Sequence, residues 1–131
     1  MKRETPSTHR LLRGRRAYAA GQDAEALAAA ALTAEGWHIL AQRCRTEAGE
    51  IDLIVERKGL LAFIEVKARP SLTEAAFALG PRQRARLVAA AEAWLAEHPG
   101  HGAAGMRFDV MLVAADGPIR RIADAFRADE A

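Results

Sequence analysis

The sequence predicts an α/β fold in which helices pack on a central mixed β-sheet. Three observations carry that expectation. Two alanine-rich stretches, at about residues 14–35 and 81–98, space their apolar residues with a helical period. Two segments between them, 50–57 and 60–68, are β-branched and almost continuously apolar, as strands covered on both faces are. Lys58-Gly59 joins those two segments by a link short enough for a tight hairpin, which makes the strands antiparallel neighbours.

The 131 residues suit one core, read as a flexible basic arm over 1–13 followed by a single domain over 14–131. Thr5-Pro6-Ser7-Thr8 breaks any regular structure near the start. Six of the first sixteen residues are Lys or Arg, against one Glu, in a chain whose formal net charge is only +2. Arg13, Arg15 and Arg16 close that basic run. Such an arm is either a solvated leader or an attractor for a polyanion such as nucleic acid.

In the first helix Ala20, Ala24, Leu27, Ala28, Ala31 and Leu32 form the apolar face, and Gly36 stops it. Trp37–Arg43 reads as a first strand, ahead of the hairpin pair. A loop opened by Arg69-Pro70-Ser71 leads to Pro81, a residue suited to the first turn of a helix. Arg84, Leu87, Val88, Ala91 and Leu95 mark the expected inner face of that helix. Met106–Ala115 is a fourth strand, Asp116-Gly117-Pro118 a turn, and Ile119–Asp124 a short edge strand.

Several chemistries find no support. A single cysteine, Cys44, forms no disulfide within the chain and reads as a partly buried small apolar residue. The four histidines lack zinc-ligand spacing, and no phosphate-cradling glycine loop is present. No apolar run reaches the roughly 20 residues of a membrane span, and no hydrophobic segment follows the basic start. The cytoplasm is the expected location, with no membrane partner.

The charged residues inside the apolar strands are the informative ones. Glu65 and Lys67 share one face of their strand with Phe63. A turn at Lys58-Gly59 pairs residues whose numbers sum to about 117, which sets Asp52 across from Glu65, roughly 5 Å apart at Cβ. Two carboxylates that close repel, and burying them is costly unless a cation lies between them. A hard divalent ion, Mg²⁺ or Mn²⁺, answers that need with one or two carboxylates and retained waters. Lys67 would then orient or deprotonate an attacking water. Taken singly, Glu65 and Lys67 could be a surface ion pair and Asp52 a turn residue; together, in register, they favour a site.

Glu25, at the edge of the first helix's apolar face, is either a fourth group of that site or a solvated side chain. Gln83 is either a phosphate contact or a surface glutamine. Glu50 is expected on the face opposite Asp52, and Arg107 with Asp109 as an ion pair bracing the sheet.

Gly49-Glu50-Ile51-Asp52-Leu53-Ile54 and Phe63-Ile64-Glu65-Val66-Lys67-Ala68-Arg69 resemble the signature blocks of the YraN-like family of small bacterial proteins. Gly21-x-x-x-Glu25-x-x-Ala28 and Arg107-Phe108-Asp109-Val110 extend the resemblance over about residues 14–124. That family is similar in fold to PD-(D/E)xK nucleases, the restriction-endonuclease-like core, and to archaeal Holliday-junction resolvases. The resemblance implies that Asp52, Glu65 and Glu25 are metal ligands and Lys67 the catalytic lysine. Ile51 stands where the superfamily's name has its proline.

The leading expectation is therefore a metal-dependent endonuclease-like protein acting on DNA, with Arg13, Arg15, Arg16, Arg69 and Gln83 along the nucleic acid. A homodimer would suit the cutting of two phosphodiesters. The rivals are a non-catalytic nucleic-acid-binding module of the same fold and a protein-interaction subunit.

Overall fold

The computed structural model describes residues 24–73, 78–115 and 117–128. The basic arm, with Arg13, Arg15 and Arg16, lies outside them, as does the expected opening of the first helix. Helix α1 runs through the described residues 24–34. Strands β1 (His38–Thr46), β2 (Gly49–Arg57) and β3 (Leu60–Arg69) follow, then α2 (Pro81–Glu97), β4 (Gly105–Ala114) and β5 (Ile119–Phe126). The five strands form one mixed sheet in the order β1-β2-β3-β4-β5.

Local chemistry sets these boundaries. The α1 helix ends with the Trp37 N–H bonded to the Leu32 carbonyl and the Gly36 N–H to that of Thr33, each at 3.0 Å, with Gly36 at φ 94°. That is the pattern of a glycine C-cap. Lys58 and Gly59 both have positive φ, 52° and 80°, as a two-residue hairpin turn matched to strand twist requires. The β2–β3 register then pairs Arg57 with Leu60 through to Leu53 with Ile64, the register the sequence predicts.

Parallel pairing of β3 with β4 makes α2 the crossover between them. The sheet therefore has two covered faces. On one, α2 packs Leu87, Ala90, Ala91 and Trp94 over Ile54, Leu61, Phe63 and Phe108. On the other, Ala28 and Leu32 of α1 meet Leu53, Val55, Ala62 and Ile64. Residues 61–64 are all buried because alternate side chains serve alternate faces.

Two expected helix faces are corrected. Leu27 is exposed, because Ala24, Ala28, Ala31 and Leu32 centre the α1 stripe well away from it at about 100° per residue. The same geometry leaves Glu25 on the stripe's other border. On α2 the buried stripe turns from Arg84, Val88 and Leu95 toward Ala90 and Trp94. Trp94 explains the turn, since its ring meets Phe63 edge-on at 6.0 Å and the bulkiest side chain takes the centre.

Strand β5 extends to Phe126, beyond the expected edge strand, and Phe126 stacks on Phe108 at 4.8 Å. The segment after α2 is tied back to β2 by Glu56, whose carboxylate meets His101 Nδ1 and accepts from the Gly102 N–H, both at 2.8 Å. The His101 bond, with that amide, holds the Glu56 carboxyl below the usual range. No helix among the described residues is long and apolar enough to cross a membrane.

Candidate functional site

Asp52 enters the site because β2 and β3 stop pairing just before it. The ladder's final pair at this end is Leu53 with Ile64. One residue further, the Val66 N–H donates to Asp52 Oδ2 at 2.8 Å, so a side chain replaces the next backbone acceptor. Asp52 is thereby held at the mouth where the two strands part. On its other side the β1–β2 register, Gln42 with Leu53 and Cys44 with Ile51, sets Arg43 across from it.

Glu65 and Lys67 follow on β3, on the face that Phe63 shares with α2. Lys67 is buried, and its Nζ donates to the Ala78 carbonyl at 3.2 Å. Glu25, from the border of α1, lies 3.5 Å from Arg43, and the Asp52 carboxylate is near enough to raise its carboxyl. The sheet end thus gathers Glu25, Asp52, Glu65 and Lys67 from three elements.

Electrostatics mark this corner as short of positive charge. Burial and then the Asp52 carboxylate push Glu65 up to about 7, against the pull of Lys67 and Arg86. Burial also raises Asp52, opposed by the Val66 N–H and Arg43 and aided by Glu50. Glu25 is raised as well, by burial and then by Asp52. Lys67 is lowered, first by burial and then by Arg69. Three carboxyls raised together, beside a lysine lowered by burial, leave the charges of this corner only partly balanced. Among the described residues no group of three or more His, Cys, Asp or Glu is closed around a point that would hold an ion. The carboxylates are gathered rather than drawn in.

Other expected site residues fall differently. Gln83 Oε1 accepts the Gly80 N–H at 3.2 Å, so its amide caps the start of α2. Arg69 is exposed and bonds the Ala68 carbonyl through Nη1. Glu50 acts on Asp52, Glu25 and Cys44 together, which corrects its assignment to the opposite face; residues two apart on a strand share one. Arg107 and Asp109 do form the expected ion pair, 3.0 Å apart, with Asp109 fully buried and also accepting the Asp124 N–H. Cys44 is partly buried, packs against the core, and its thiol is raised by that burial.

Arg86 is the residue sequence reasoning missed. Its stem crosses Gly49 so closely that a Cβ there would sit 2.8 Å from Arg86 Cγ, and Gly49 has φ 149°. Its charge holds Glu65 down. Only the position of α2 over the start of β2 brings Gly49 and Arg86 together, although a glycine at the mouth of a strand carrying Asp52 was a signal.

These features define a small α/β protein with a carboxylate–lysine corner at the parting of two strands. The model of "Uncharacterised protein family UPF0102" matches residues 24–113. The chain is 59% identical to a UPF0102 protein of Granulibacter bethesdensis over 121 residues, 92% of this chain and 77% of that one. It is 53% identical to one from Bradyrhizobium sp. strain ORS 278 over 86% of this chain and 79% of that one. A Rhodopseudomonas palustris relative is 49% identical over 86% of each. The chain belongs to the UPF0102 family, which bears out the YraN-like resemblance of its motifs.

Proposed function

We propose that this chain is a magnesium- or manganese-dependent endonuclease-like protein of the cytoplasm, built on a restriction-endonuclease-like PD-(D/E)xK core. Its substrate is DNA phosphodiesters, branched DNA above all, and a homodimer would bring two such corners to one junction. One observation carries the reading: Asp52 and Glu65 meet where β2 and β3 part, with Glu65 pushed up to about 7 and Lys67 beside it.

The donors fit the ion. Asp52, Glu65 and Glu25 offer only hard oxygens, which suit Mg²⁺ or Mn²⁺ and not a thiolate-seeking metal. When bound, the ion would polarise the phosphoryl group and stabilise the departing alkoxide. Asp52 is kept in place for this by the Val66 N–H. Lys67, with its pKa lowered by burial, orients the attacking water and is disposed to take up its proton. Arg86, across Gly49, adds a guanidinium suited to a phosphate oxygen.

The test is incubation of the full chain with linear and four-way DNA in Mg²⁺ or Mn²⁺. Cleavage by the wild type should fall at least ~100-fold in Asp52→Ala and Lys67→Ala. Cleavage unchanged in both would overturn the mechanism. A non-catalytic binding module is the second reading, favoured by the contacts that already engage Asp52 and Glu25. There the same variants bind DNA like wild type and no form of the protein cuts.

A further inference from the structure

One hydroxyl holds the turn between β1 and β2. Thr46 Oγ1 accepts the Ala48 and Gly49 N–H groups, each at 3.1 Å, and donates to the Gly49 carbonyl at 2.7 Å. Gly49, paired with Thr46 at the end of the ladder, is therefore fixed at both its amide and its carbonyl. Its φ of 149° suits glycine and strains any residue with a Cβ. That is a local reason for glycine here, and a second one lies above it.

A Cβ at Gly49 would stand 2.8 Å from Arg86 Cγ, 3.0 Å from Cδ and 3.6 Å from Nε. Cγ is close to the helix, so it cannot swing clear as a side-chain tip could. Helical χ1 choices are few, and Leu87, Ala90, Ala91 and Trp94 seat α2 on the sheet. The Arg86 stem thus runs across the start of β2, just ahead of Glu50 and Asp52. Arg86 is nonetheless exposed, and its charge acts on Glu65.

We propose that Gly49 is a positioning residue that acts through Arg86. With no Cβ at position 49, and with the turn braced by Thr46, the arginine stem can cross the start of β2. Its guanidinium is thereby aimed at a phosphate oxygen of DNA arriving at the corner of Asp52 and Glu65. The assignment rests on the proposed nuclease reading and deepens it by naming what aims the phosphate-binding arginine. Arg86 touches the substrate; Gly49 and Thr46 act only through it. A guanidinium held by its stem has less freedom to lose when it meets a phosphate.

The experiment compares wild type, Gly49→Ala, Arg86→Ala and the double variant Gly49→Ala/Arg86→Ala as full chains. DNA binding and its salt dependence are measured in EDTA, where nothing is cut. Arg86→Ala should weaken binding about tenfold and lower the log–log salt slope by about 1. Gly49→Ala, with the charge still present, should lose a similar share of affinity. Adding it to Arg86→Ala should weaken binding no further, because the backbone strain remains in that background and the collision does not. A merely structural glycine would lower the melting temperature in both backgrounds and leave DNA binding alone. Equal DNA binding by wild type and Gly49→Ala, or losses that add in the double variant, overturn the proposal. So does manganese binding kept by wild type and lost in Gly49→Ala, since the glycine would then shape the corner itself. Should Gly49→Ala fail to fold, Thr46→Val takes its place: it loosens the turn, and unchanged DNA binding would again overturn the idea. Inorganic phosphate should also shift the Arg86 Nε–H resonance of wild type, and less in Thr46→Val. A wild type that binds no DNA refutes the nuclease reading, and that phosphate titration alone then decides whether Gly49 and Thr46 aim Arg86.

Discussion

Asp109 and Glu65 are both carboxylates set in apolar strands of one sheet, yet their surroundings are opposite. Asp109 is fully buried and has every need met: Arg107 lies at 3.0 Å and the Asp124 N–H at 2.9 Å. Glu65 faces another carboxylate, with lysine and arginine charges only partly offsetting it. A buried charge with matched partners fixes structure, and one opposed by its own kind costs stability until a proton or a cation neutralises it. The first ties β4 to β5; the second sits where β2 and β3 separate.

Substitution should separate the two most sharply in stability. Asp109→Ala removes the Arg107 partner and orphans the Asp124 amide, and should destabilise by about 3 kcal/mol in urea unfolding. Manganese binding should survive it. A loss under ~1 kcal/mol would mean that the buried pair braces nothing.

Glu65→Gln should act in the opposite direction, and only at the right pH. The Glu65 carboxyl sits at about 7 when folded and 4.5 when exposed. Below 4.5 both states are protonated and the group has no effect. Between 4.5 and 7 the folded state binds more protons, so wild-type stability falls as pH rises and the full penalty stands above 7. The glutamine variant should thus be more stable at pH 8 by on the order of 2–3 kcal/mol, with the gain fading by pH 4.5. Melting curves at the two pH values check it, and a gain independent of pH would contradict the electrostatic cause.

A subtler change is expected from Arg86→Ala. Losing that charge should raise the Glu65 titration midpoint by a few tenths of a unit, read by carboxyl NMR. An unmoved midpoint would remove Arg86 from the site. Gln83→Ala should cost about 0.5–1 kcal/mol by freeing the Gly80 amide, with no effect on metal binding.

Much of the architecture was legible because strands 50–57 and 60–68 state their own register. A two-residue turn with two positive φ angles leaves one pairing, which holds from Arg57 with Leu60 to Leu53 with Ile64 and stops short of the expected pair of Asp52 with Glu65. Helix rotation was harder to read. Alanine contributes so little to a face that Trp94, one side chain, swung the inner stripe of α2. Arg86 was hidden for a different reason: its contact with Gly49 joins elements 37 residues apart in the chain and leaves no periodic trace. Gln83 carries a second role that its position did not reveal, since its Oε1 accepts the Gly80 N–H at the start of α2.

The proposed function requires Asp52 and Glu65 to bind a divalent cation. Calorimetric titration of Mn²⁺ into wild type and into Asp52→Ala/Glu65→Ala tests it most directly. Wild type should bind the ion, with protons released near pH 6.5 as Glu65 gives up its proton, and the double variant should not. Equal binding by both, or none by wild type even with DNA present, would contradict it.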